Sequence, residues 1–137
     1  MSITGIAKSD HAIYAAEQLK EKGLDDKWEV VVATDYTLQL DFDHPSDLLL
    51  MTDPPENFHR IRAMLEEQVG EVDYAVTRSR GGNVHVTITM REPMDIVQRI
   101  AWHAIFGSDP IREAGHLHSV KRQELNPILL YERKKPQ

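Results

Sequence analysis

The most constraining stretch of this chain is the alternation Leu38-Gln39-Leu40-Asp41-Phe42-Asp43, joined further on by Arg80-Gly81-Gly82-Asn83-Val84-His85-Val86-Thr87-Ile88. Successive side chains of a strand point to opposite faces. Leu38, Leu40 and Phe42 therefore share one face, and Gln39, Asp41 and Asp43 the other. In the second stretch Val84, Val86, Ile88 and Met90 oppose Asn83, His85, Thr87 and Thr89. Neighbouring strands of this kind would bury their apolar sides together and aim two carboxylates and an imidazole from the polar side. Those three groups can converge on a divalent metal and a phosphate.

The surrounding pattern predicts a helix over residues 8–23, with Ile13, Ala16 and Leu19 at helical spacing, Ser9 or Asp10 as N-cap and Gly23 as stop. Trp28 to Thr34 is β-branched and reads as a strand. Asp35-Tyr36 then turns into the strand over 37–43, so a hairpin is the economical arrangement. Pro45 ends that strand. Pro54 and Pro55 open a helix over 56–69, with Phe58, Ile61, Met64 and Leu65 inward and Gly70 after it. Residues 72–79 alternate as a strand, and Gly81-Gly82-Asn83 turns into the His85 strand. Residues 93–106 carry Met94, Val97, Ile100, Ala101, Ala104 and Ile105 on one helical side, stopped by Gly107. A short helix and then loop is expected over 111–125, a last strand over 127–131, and a frayed tail over 132–137.

From residue 37 the order is strand, helix, strand, strand, helix, loop, strand. It predicts an α+β fold, an RRM-like split βαβ palm whose antiparallel sheet carries helices on one face. The N-terminal helix and hairpin would wall one side of the opposite, open face. One domain over 1–137 is expected, with 1–36 preceding the palm and 37–131 forming it.

Charge adds a direction. Residues 1–70 hold 6 Lys and Arg against 14 Asp and Glu, whereas residues 71–137 hold 10 against 8. An acidic half facing a mildly basic one suits a metal site beside a phosphate-binding surface, although two solvated halves would look the same. The overall charge of -6 argues against a protein that coats nucleic acid nonspecifically. There is no cysteine, hence no disulfide framework, thiolate nucleophile or cysteine zinc site. Without a signal-like start or a membrane-length apolar run, a cytoplasmic location and no membrane partner are the default expectations.

Paired carboxylates two apart on a strand suit Mg²⁺ or Mn²⁺, hard ions that share their shell with substrate phosphates. A third acid commonly completes such a clamp, and Asp109, after the strong helix, is the candidate. Arg78, Ser79 and Arg80 with the two glycines can cradle an anion, and Lys121 and Arg122 can add phosphate contacts. Each feature also has a plain reading. An isolated Asp-x-Asp is commonly the polar side of a half-exposed strand, a lone histidine a satisfied surface group, and Gly-Gly an ordinary turn.

As an ordered set these residues resemble the catalytic core of the archaeo-eukaryotic primase superfamily. That family shows an apolar run into Asp-x-Asp, a strand bearing Ser-x-His or Gly-x-x-His, and then a lone carboxylate. Leu38 to Asp43, Ser79 to His85, and Asp109 look like these three, and the similarity covers about residues 28–131. Asn83, not serine, precedes His85 by two, and no apolar strand residue leads into Asp109. The resemblance implies that Asp41, Asp43 and Asp109 bind the metals. It implies that His85 and nearby basic groups hold the phosphates of an incoming nucleoside triphosphate. Lys121 or Arg122 resembles the family's basic residue after the third acid. Nucleotidyl transfer on a single-stranded template, with a replication protein as partner, would follow.

Two rival classes remain. His85-Val86-Thr87-Ile88 fits the His-x-Thr element of two-histidine phosphoesterases, which need a second such element. His116-Leu117-His118 resembles the metal site of rolling-circle nicking enzymes, with Tyr131 as nucleophile. Against these stands the plain expectation that His103, His116 and His118 lie on the surface. The non-enzymatic alternative is a nucleotide or nucleic-acid binding module that keeps the fold with a degenerate site.

Overall fold

The computed structural model of the chain describes residues 3–4, 10–42, 57–78, 83–122 and 127–134. Asp43, Ser79 and Arg80, and the glycines between Arg80 and Asn83, lie outside them. Among the described residues the order is β1 (Ile3–Thr4), α1 (Asp10–Glu21), β2 (Trp28–Val32), β3 (Thr37–Phe42), α2 (Phe58–Val69), β4 (Asp73–Arg78), β5 (Val84–Thr89), α3 (Ile96–Phe106), α4 (Pro110–Lys121) and β6 (Leu129–Arg133). The fold is α+β.

The strands form two sheets, ordered β1-β2-β6 and β3-β5-β4. The second is antiparallel throughout and is the expected unit of strand, helix, strand and strand. Its apolar face buries Leu38, Leu40, Phe42, Val84, Val86 and Ile88 under Phe58 and Leu65 of α2 and Trp102 and Phe106 of α3. The alternation that defined the two key strands is thus the alternation that builds the core. In the first sheet β2 is covered by α1 through Ala12, Ala15, Ala16 and Leu19. Ile13, expected inward, is 39% exposed, since Ala12, Ala15, Ala16 and Leu19 form the buried face instead. Gly23, at φ 69, closes α1: its N–H reaches the Lys20 carbonyl and the next N–H reaches that of Leu19.

Three expectations are corrected. The hairpin between β2 and β3 does not form, since the two strands belong to different sheets. A turn at Thr34–Thr37, closed by the Thr37 N–H on the Thr34 carbonyl at 3.1 Å, carries the chain from one sheet to the other. The last strand does not join the palm. β6 pairs antiparallel with β2 from Trp28↔Arg133 to Val32↔Leu129, so Glu132 and Arg133 are ladder residues and not a frayed end. The segment after Asp109 is one continuous helix to Lys121.

The strong helix exists but is turned. Asp95 caps α3 through the Gln98 N–H, and Gly107 ends it at φ 87. Ile100 is buried as expected, whereas Val97 and Ile105 are half exposed and Arg99 and His103 are buried. The reason is polar. Arg99 donates to the Met94 and Thr34 carbonyls, and His103 meets the β3 backbone, so α3 meets loop carbonyls and one strand edge as well as covering a sheet. Unmet backbone groups there would cost more than two exposed aliphatic side chains.

Candidate functional site

Asp41 and His85 are direct cross-strand partners in the β3–β5 ladder. Opposed residues of an antiparallel pair share a face. His85 Nε2 lies 3.6 Å from Asp41 Oδ1. Its Nδ1 lies 3.0 Å from Glu132 Oε1, which reaches across from β6 of the other sheet. A carboxylate only accepts, so Nδ1 carries the proton of that bond and the tautomer is set. Nε2 then turns toward Asp41, and the two are complementary when a proton or a cation lies between them. The expected face is not open: His85 is only 4% exposed. Asp41, Asn83 and His85 instead line a cavity of about 680 Å³, shared with Arg112, His116 and Tyr131.

The other expected residues are placed as follows. Asp109 is next to β3, its backbone N–H donating to the Asp41 carbonyl at 2.7 Å. Its carboxylate caps α4, accepting from the Ile111 N–H at 3.0 Å, and does not line the cavity. Arg78 is opposite Val84 in the ladder, on the face away from His85. Lys121 is the last residue of α4 and Arg122 follows it; neither lines the cavity. His103 and His116, expected at the surface, are both buried.

The group that sequence reasoning missed is Glu113. Its Oε1 accepts from His103 Nδ1 at 2.9 Å and from His116 Nδ1 at 2.8 Å. Its Oε2 accepts from Ser108 Oγ at 2.8 Å and from Arg112 Nη1 at 2.6 Å. The same donors serve the free edge of β3. The Gln39 N–H donates to His103 Nε2 and the Asp41 N–H to Ser108 Oγ, while Arg112 Nη1 donates to the Gln39 carbonyl. Arg112 Nη2 reaches the Leu129 carbonyl of β6 at 3.1 Å. Side chains of the α3–α4 corner thus occupy the β3 edge. The only sequence hint was Glu113 lying one turn before His116 on the same helix face.

Burial alone would raise the Glu113 carboxyl, but the hydrogen bonds from His103 and His116, helped by Arg112, hold it well below the usual carboxylate range. Burial pushes the His103 imidazole down, against the pull of Glu113. Geometry agrees, since protonating Nε2 would set an N–H against the Gln39 N–H. His103, Glu113 and His116 also offer atoms within 4.8 Å of one another, a spacing that a metal ion could use. The donor chemistry does not fit one. His103 Nδ1 must keep its proton because Nε2 accepts from the backbone, and Arg112 already neutralises the carboxylate. The trio is a hydrogen-bonded cluster.

A pH dependence follows. A histidine kept neutral in the fold binds fewer protons than in the unfolded chain, so stability is full above its ordinary value of 6.5 and falls as pH drops below it. Glu113 stays ionised there, and its contribution begins to fall only below its ordinary value of 4.5. The urea midpoint is expected to decline between about pH 7 and pH 5, by at most about 1.4 kcal/mol per pH unit from this one proton. His103→Gln should flatten that slope; an unchanged slope would assign it to another group.

No family model, no curated protein and no solved structure matches this chain.

Proposed function

We propose that the Asp41–His85 end of the cavity binds a nucleoside triphosphate with Mg²⁺ or Mn²⁺, and that the protein performs metal-dependent nucleotidyl transfer of the primase-polymerase kind on a single-stranded template. The observation that supports it is the register: an acid and an imidazole distant in sequence lie face to face on the wall of a cavity. Asp41 would hold the metal, with Asp43 two residues on as the second acid of the pattern and Asp109 beside it in the chain's path. A bound divalent ion neutralises phosphate charge and polarises the reacting phosphorus–oxygen bonds. His85, pinned by Glu132, directs Nε2 to the same spot, where it would meet the phosphates. Ser79, Arg80, Lys121 and Arg122 belong to this proposal as outer contacts to phosphates or template, and a replication protein as its partner, whereas Arg78, on the opposite face of the sheet, does not.

A second reading is favoured by one observation. The Asp109 carboxylate is engaged in capping α4, which leaves the third acid of the clamp committed to structure. A nucleotide-binding module without turnover would tolerate that.

The test supplies purified protein with nucleoside triphosphates, Mn²⁺ and a single-stranded template, beside Asp41→Asn and His85→Gln. Strand extension or dinucleotide synthesis is expected, reduced about 100-fold or more in both variants. Binding with no product in the wild type would favour the second reading. Metal-dependent cleavage with no synthesis would replace both by a nuclease or phosphoesterase.

A further inference from the structure

The cavity holds a second carboxylate-oriented imidazole. His116 lines it from α4, as His85 does from β5. Glu113 takes the Nδ1 proton of His116, as Glu132 takes that of His85. The parallel ends at Nε2. That of His85 faces Asp41, whereas that of His116 has no hydrogen-bond partner among the described residues. With Nδ1 bonded to the carboxylate, the neutral ring carries its lone pair on Nε2. His116 therefore presents a fixed proton acceptor, held by a carboxylate that is itself anchored by Ser108 and Arg112. Of the other polar residues of α4 on this wall, Arg112 is spent on the Gln39 and Leu129 carbonyls and on Glu113, which leaves the Ser119 hydroxyl one turn from His116.

We propose that His116 is the proton acceptor of this cavity, taking the hydrogen of a nucleotide sugar hydroxyl. The proposal rests on the nucleotidyl-transfer reading. In that reaction the hydroxyl O–H bond breaks and its proton passes to His116 Nε2. The freed oxygen forms a bond to the α-phosphorus of a second nucleotide. The bond from that phosphorus to its bridging oxygen breaks, and pyrophosphate leaves with the electron pair. A neutral acceptor suits a hydroxyl and not a phosphate, so His116 serves the nucleotide that attacks and His85 the one that is attacked. A positioned base of this kind contributes roughly 100- to 10,000-fold in rate.

The experiment follows the ring nitrogens of ¹⁵N-histidine-labelled protein while ATP with Mg²⁺, or the 2′,3′-dideoxy analogue with Mg²⁺, is added. The free protein should show His116 as the Nδ1–H tautomer. ATP should move the Nε2 signals of both His85 and His116; the dideoxy analogue should move that of His85 alone. His116→Gln, checked for folding by its amide spectrum, should lower kcat about 100-fold or more with KM within about threefold. A His116 ring that stays still while His85 responds, or a His116→Gln protein that keeps its kcat, overturns this inference and leaves the transfer reading standing. Absence of transfer by the wild type, with neither ring responding to ATP, removes the reading itself.

Discussion

Glu113→Ala is expected to lower the stability of the folded protein by about 3–5 kcal/mol, the range found when one partner of a buried ion pair is removed. The carboxylate is 4% exposed at its side chain and accepts from four donors. Alanine would leave a guanidinium, a hydroxyl and two imidazole N–H groups facing a void, and each orphaned donor carries its own desolvation cost. The loss would spread to β3, because His103, Ser108 and Arg112 also serve its edge. Glu113→Gln keeps the shape and two acceptor lone pairs but no charge, and should cost roughly half as much. Urea unfolding at pH 7.5 measures both, and the alanine variant should melt roughly 10 °C or more below the wild type. A loss under about 1 kcal/mol would mean that water or a shifted side chain replaces the carboxylate at little cost.

That such a residue escaped the sequence reading has a physical reason. Period-two and period-3.6 patterns report which residues share a face, and there they served well: Asp41 and His85 do share one, and Gly23, Gly70 and Gly107 do end helices at positive φ. The patterns are silent on which strand pairs with which. Trp28–Val32 and Thr37–Phe42 look like a hairpin because they are adjacent in the chain, but only pairing energies across the whole sheet decide that β6 lies beside β2. They also assign every polar residue to solvent. Arg99 and His103 are buried because they meet backbone groups of a turn, a loop and the β3 edge, and Glu113 because it holds His103, Ser108 and Arg112 in place, requirements that hydrophobic periodicity does not encode. The rotation of α3 is the visible result. Glu132 was misplaced for a related reason, since charged residues close to a chain end read as a tail until a strand claims them.

Arg112→Met should be nearly as damaging as Glu113→Ala, and for a reason that joins fold to site. The guanidinium spans the seam between the sheets, donating to Gln39 of β3, Leu129 of β6 and Glu113. Methionine matches its length without a donor, so two carbonyls and a buried carboxylate lose their partner together. A loss of about 3–5 kcal/mol is expected. Lysine keeps the charge but not the rigid fork, and Arg112→Lys should cost about 2 kcal/mol. The loss should be local in character. The Gln39 and Asp41 amides bond to side chains of the α3–α4 corner and not to a neighbouring strand, so their hydrogen exchange should accelerate before that of the β5 amides. Asp41 carries the proposed metal and the cavity lies along this seam, so Mg²⁺·ATP affinity should fall in the same variant even at temperatures where it remains folded. Combining Arg112→Met with Glu113→Leu should cost less than the sum of the singles, because each single strands the charge that the other removes. Additive losses, with the Gln39 and Asp41 amides exchanging no faster than those of β5, would show that apolar packing alone joins the sheets and that the polar corner is incidental to the cavity wall.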